Sequence, residues 1–224
     1  LWRRPGDWTT FDEDDRTLAL LTPTETGGKE LLTLEPATGR VIATRPVSAS
    51  TLWHPPVLAG DVVLLTDSFN GRVSGFDVRT GRERFVFALD VSPIRPLTVV
   101  GPSGRDGAAI MHTVRDGTLH VTVLDLDRLN VRFESPVRLA DHAVLGLSVP
   151  PLVWRERLLY LDAATGSVLA LDTRTGKIEA VAPAEGTASL PADRLTFRWT
   201  LSGDTLCLVG SEGEVRFWRL SAGE

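Results

Sequence analysis

The sequence is short of several residue types, and each shortage removes a class of protein. Only one of its 224 residues is cysteine, Cys207, so no disulfide can form within the chain. Cys207 sits in the apolar run Thr205-Leu-Cys-Leu-Val209 and reads as a buried small hydrophobe. Lysine is nearly missing: of 24 basic residues, only Lys29 and Lys177 are not arginine. The arginines are scattered and the net charge is −5, so no nucleic-acid partner is expected. No apolar stretch approaches the roughly 20 residues that span a bilayer as a helix. The four histidines, His54, His112, His120 and His142, lack the spacing of a metal site. There is no Gly-x-Ser-x-Gly elbow and no Gly-rich phosphate loop followed by a helix. No catalytic residue, metal or cofactor is therefore assigned. No leader is visible, which favours a cytoplasmic location. A start at Leu1 nevertheless reads as a piece of a larger protein, and neither compartment nor oligomeric state follows from the sequence.

Sustained helical periodicity is missing too, and what stands in its place is a repeat. Two copies are Gly71-Arg-Val-Ser-Gly-Phe-Asp77-Val-Arg-Thr-Gly81 and Gly166-Ser-Val-Leu-Ala-Leu-Asp172-Thr-Arg-Thr-Gly176. A third is Gly28-Lys-Glu-Leu-Leu-Thr-Leu-Glu35-Pro-Ala-Thr-Gly39. A degenerate fourth runs from Gly117 through Asp125 to Leu129, and the last from Gly213 through Trp218 to Gly223. The turn position recurs at 39, 81, 129, 176 and 223, at intervals of 42, 48, 47 and 47 residues. That period is the length of one four-stranded unit. Each copy follows a short apolar run, such as Val62–Leu65 or Leu158–Leu161, that suits a strand buried on both faces. Tight turns follow at Asn70-Gly71 and Asp116-Gly117. In the Asp-x-x-Thr-Gly turn the carboxylate can accept backbone N–H groups, and glycine takes the left-handed position. Glu35, Gly39, Asp77, Gly81, Asp125, Asp172 and Gly176 are accordingly assigned as structural turn residues.

Units this small cannot bury both faces alone. The expected fold is an all-β propeller of about five four-stranded antiparallel blades, forming a single domain over residues 1–224; an open β-solenoid is the alternative. The last copy stops after its third strand. Leu1-Trp-Arg-Arg4 is expected to complete that blade, antiparallel to Val215–Arg219, and so close the ring.

At these turns the chain resembles the PQQ-like, or quinoprotein-like, β-propeller repeat family. The family's Ala-x-Asp-x-x-Thr-Gly motif is matched by Ala170-Leu-Asp172-Thr-Arg-Thr-Gly176 and nearly so by Gly75-Phe-Asp77-Val-Arg-Thr-Gly81. Val209-Gly-Ser-Glu-Gly-Glu-Val-Arg-Phe-Trp218 is equally similar to a WD repeat. The aromatic residue that usually follows the turn is Phe85 in one copy and Phe133 in the next. It is missing after Gly39 and Gly176. The resemblance implies a propeller scaffold. It does not imply a quinone enzyme, since those use a larger ring and adjacent cysteines.

Trp53, His54 and Arg95 fall where one unit crosses to the next, and aromatic and Arg side chains at such rims are typical binding anchors. His142 lies in the long connection Ser135–Ser148, a place for a binding loop. The acidic cluster Asp12-Glu-Asp-Asp15 reads as a solvated turn. The innermost strand segments, Pro56–Leu58, Leu97–Val100 and Leu152–Trp154, carry no acid, which argues against glycoside chemistry in a channel. The function expected is a non-catalytic interaction module for a protein partner, through a rim or the central channel. The alternative is a small-ligand binder or a channel-site enzyme of the sugar-acting or lyase type.

Overall fold

Short apolar runs alternating with glycine turns dictate short strands joined by hairpins. The structure, a computed structural model, describes residues 8–11, 16–47, 54–67, 69–89, 93–94, 96–101, 107–137, 151–162, 167–182, 198–209 and 215–221. Among these residues every regular element is a β-strand, and they form five sheets. The first contains β1 (Trp8–Phe11), β2 (Leu18–Pro23), β3 (Lys29–Leu34) and β4 (Val41–Val47). The second contains β5 (Val57–Ala59), β6 (Val62–Asp67), β7 (Arg72–Asp77) and β8 (Glu83–Ala88), and the third β9 (Thr98–Val100), β10 (Ala108–Arg115), β11 (Thr118–Asp125) and β12 (Asn130–Val137). The fourth contains β13 (Leu152–Trp154), β14 (Arg157–Asp162), β15 (Ser167–Asp172) and β16 (Ile178–Ala182). The fifth has three strands among the described residues, β17 (Arg198–Ser202), β18 (Thr205–Val209) and β19 (Val215–Arg219). In each sheet chain neighbours are spatial neighbours.

Burial grades across a sheet as the sequence pattern requires. In β6 Val62 through Thr66 are all buried, whereas β8 alternates between exposed and half-buried positions. A second strand covered on both faces must be apolar throughout; a fourth strand with one face in water alternates. The chain divides into two compact units, residues 1–113 with 122–132 and residues 114–121 with 133–224. In the first, Leu21, Leu31, Val63, Leu65 and Phe76 join the first and second sheets, and Leu64, Val73, Leu97, Met111 and Leu124 join the second and third. In the second, Trp154, Leu159, Leu161, Leu206, Leu208 and Leu220 form the core between the fourth and fifth sheets. Each fully buried side chain of this size contributes about 1.5–3 kcal/mol relative to exposure.

Four expectations need correction or placement. The connection expected from Ser135 starts later, because β12 continues through Val137. Cys207 is half-buried rather than buried, on a face of β18 where its cross-strand partner is the exposed Phe217. Leu1–Arg4 and Asp12–Asp15 lie outside the described residues; β19 pairs with β18 along Val215–Arg219.

Candidate functional site

The turns that end the third strands are the most elaborated polar features. Asp77 Oδ1 accepts the backbone N–H of Arg79 at 3.0 Å and of Thr80 at 2.8 Å, and the Thr80 hydroxyl at 2.9 Å. Its Oδ2 receives Arg84 Nε at 3.0 Å, and Arg84 Nη2 bridges Asp77 to Asp61, which lies at 2.6 Å. Hydrogen bonding to Arg84, with the turn amides, holds the Asp77 carboxyl far below its ordinary 3.8. Asp125 repeats the design: Oδ1 accepts Asp127 N and Arg128 N, and Oδ2 takes Arg132 Nη2 at 2.9 Å. Burial opposes its ionisation, but the Arg128 amide and Arg132 outweigh it and its pKa lies below 3.8. Asp172 likewise accepts Arg174 N and Thr175 N, and its pKa is lowered against the cost of burial. Glu35 differs: its carboxylate takes the Thr38 hydroxyl at 2.6 Å and Arg40 Nε at 3.4 Å. One more methylene carries the carboxylate past the turn amides to the side chains beyond them.

The residue closing each turn is left-handed, with φ of 70° at Gly39, 66° at Gly81 and 75° at Gly176. In the third sheet Leu129 takes this conformation, at 55°. Four residues after the turn stands a side chain that meets the next turn. A Cβ on Gly81 would lie 3.3 Å from the Thr44 carbonyl oxygen and 3.6 Å from Ala43 Cβ, and one on Gly176 would lie 3.1 Å from the Phe133 ring. Phe85, in the corresponding place, lies over Gly75 of its own sheet, its cross-strand partner. A Cβ at Gly75 would stand 2.3 Å from Phe85 Cζ, so only glycine admits the ring. Beside Phe85 opens a cleft of about 280 Å³ lined by Ala59, Asp61, Val62, Arg84, Phe85 and Leu129, with Val99, Gly107, Leu126 and Asp127.

Of the sequence-assigned binding residues, His54 is half-buried with Nε2 3.3 Å from the Pro93 carbonyl. Burial pushes its pKa below 6.5, against the pull of that carbonyl. Trp53, Arg95 and His142 lie outside the described residues. His112 is fully buried and its carbonyl accepts Ile94 N–H. His120 Nδ1 stands 3.3 Å from Glu134, which also pairs with Arg115 at 2.8 Å. Sequence reasoning passed over Arg84 and Arg132, and named Leu129 only as a turn position. The signal was present: an Arg three residues beyond the turn in two copies, and a Leu where other copies carry Gly. It also passed over Asp204, which accepts Trp154 Nε1 at 2.9 Å and pairs with Arg155. Among the described residues no three His, Cys, Asp or Glu side chains gather to hold a metal, and no helix is long and apolar enough to cross a membrane.

Antiparallel four-stranded meanders with a recurrent carboxylate-capped turn define a β-propeller protein built of PQQ-like repeats. Residues 9–224 match the family model described as outer membrane protein assembly factor BamB, and the chain belongs to that family. Among solved structures it is similar to BamB from Moraxella catarrhalis, with a TM-score of 0.51 and 14% identity, covering 93% of this chain and 72% of that one. It is similar also to Hsv2 from Kluyveromyces lactis, with a TM-score of 0.58 and 12% identity. That match covers 97% of this chain but 60% of Hsv2, so the chain spans about three fifths of that relative. The computationally designed Ika4 protein is covered in full by 82% of this chain, at a TM-score of 0.53 and 14% identity. No curated protein matches the sequence. At these identities the solved structures speak for the fold alone.

Proposed function

We propose that the chain is a non-catalytic propeller module that binds a protein partner through a rim or the central channel. The observation that carries this reading is membership, over residues 9–224, of a family described as an assembly factor. In this reading the five sheets are five blades of one domain spanning residues 1–224, the last copy ends in WD-like fashion at Phe217-Trp218, and Leu1–Arg4 adds the outer strand beside β19. The carboxylate-capped turns are structural. Trp53, His54, Arg95 and His142 supply the binding surface.

Two experiments test it. A photo-crosslinking amino acid at position 54 of the full-length protein, in cells of the source organism, should give discrete heavier adducts with another protein. The same label at Thr26, on an exposed hairpin, should not. Indistinguishable patterns from both positions would overturn the partner-binding role. Deleting Leu1–Arg4 should lower the unfolding temperature and promote aggregation through the bared edge. Unchanged unfolding and solubility would refute closure by those residues.

A further inference from the structure

Among the described residues a docking pattern holds at two joints of the repeat and lapses at a third. The strand segment four residues after a turn lies against the glycine that closes the next turn: Ala43 with the Thr44 carbonyl at Gly81, Phe133 at Gly176. Between the second and third sheets both partners depart from it. Phe85 turns onto Gly75, and Leu129 holds the glycine place in a left-handed conformation unfavourable for a branched side chain. The space where a docking contact would lie is an open cleft of about 280 Å³, with Ala59, Val62, Phe85, Val99, Leu126 and Leu129 as apolar walls. Leu129 remains 43% exposed beside it.

We propose that this cleft is a binding site for a partner segment that inserts one large apolar side chain, aromatic or long aliphatic, next to a basic residue. This deepens the reading of the chain as a partner-binding module and rests on it. Size supports the single side chain: the volume falls at the lower limit of the roughly 300–1,000 Å³ typical of small-molecule pockets. Charge supports the basic neighbour. Of the lining residues Asp61 and Asp127 are acidic and Arg84 alone is basic, and Arg84 is already bonded to both Asp61 and Asp77. A carboxylate has several acceptor positions, so Asp61 can accept a second cation while Arg84 keeps its place. Asp61 is well placed for it, with its side chain 62% exposed.

The probe is acetyl-Trp-Arg-amide, titrated into the ¹⁵N-labelled chain and followed by backbone amide shifts, with acetyl-Trp-Glu-amide as its charge-reversed counterpart. The arginyl peptide should bind saturably, with the largest shifts at Val62, Val99, Gly107, Leu126 and Leu129. The glutamyl peptide should bind about threefold more weakly, the scale of one exposed ion pair. Leu129→Gly restores the regular turn residue and lets Phe85 move towards it. That variant should stay folded, with an unfolding temperature no lower than the parent's, and lose at least tenfold in affinity. Asp61→Asn should narrow the gap between the two peptides. Absence of saturable shifts at the cleft, or binding that Leu129→Gly leaves unchanged, would overturn the proposal. Partner crosslinks from position 54 with no peptide bound at the cleft would overturn the cleft alone. Peptide bound at the cleft with no crosslinked partner would uphold the cleft and count against the broader role.

Discussion

Phe133 and Phe85 stand four residues after the turn in successive copies of one repeat, yet they pack in opposite directions. Phe133 reaches forward onto Gly176, where a Cβ would come within 3.1 Å of its ring. Phe85 folds back over Gly75 and leaves a cleft beside Leu129. The decisive residues are not the phenylalanines but what each one can land on. The glycine at the next turn accepts the Phe133 ring; where Leu129 stands at the next turn, the Phe85 ring packs on the glycine across the strand instead. One repeat thus yields a packed joint at one position and an accessible cleft at another.

Substitutions at the landing sites should separate the two cases. Gly176→Ala combines a left-handed backbone with a seat already filled by Phe133, so it should cost about 2–3 kcal/mol in denaturant unfolding. A cost below about 1 kcal/mol would mean that Phe133 does not depend on that seat. The carboxylates should differ next. Asp125→Ala should cost about 2 kcal/mol, because its side chain is only 6% exposed and it accepts two turn amides as well as Arg132. Asp77→Ala should cost about 1 kcal/mol, since Arg84 is 36% exposed and keeps Asp61. Equal costs would contradict the ranking by burial. Gly75→Ala should cost about 1 kcal/mol, less than Gly176→Ala, because the displaced Phe85 ring has the cleft to enter. Leu129→Gly should stabilise the chain by about 0.5–1 kcal/mol by relieving the left-handed leucine. A clear destabilisation would show that Leu129 is held by packing rather than strained.

Acid should weaken the whole chain in two steps. Asp77, Asp125 and Asp172 have pKa values lowered below 3.8 by their turns. The unfolded carboxyls therefore take up protons first. Their contribution is complete above about pH 4 and is lost as pH falls towards the folded values. His54, pushed below 6.5 by burial, acts in the same sense: its unfolded imidazole protonates first, so stability falls as pH drops through about 6.5. Asp125→Asn should flatten the lower step and His54→Gln the upper one in unfolding measured from pH 7 to pH 2. Unchanged slopes would contradict these assignments.

The repeat period and the strand order were legible because turn glycines and apolar runs are local signals. The positions 39, 81, 129 and 176 name the turns without any coordinates. Glu35 shows the limit of that reading. It occupies the aspartate place, but its reach redirects it from backbone amides to Thr38 and Arg40. Cys207 sits in a run as apolar as any buried strand, yet it shares a face of the fifth sheet with exposed Phe217. Pattern alone does not tell which face a sheet covers. The cleft was least legible. Leu129 in place of glycine was visible, but its consequence depended on Gly75, more than fifty residues earlier and one strand across from Phe85.

The most direct test is the position of the Phe85 ring in solution. Nuclear Overhauser contacts in a chain labelled at phenylalanine, glycine and leucine should connect the Phe85 ring to the Gly75 α protons, shifted upfield beneath it, and the Phe133 ring to Gly176. Strong contacts from Phe85 to the Leu129 methyl groups, with none to Gly75, would place the ring in the forward seat and contradict the account.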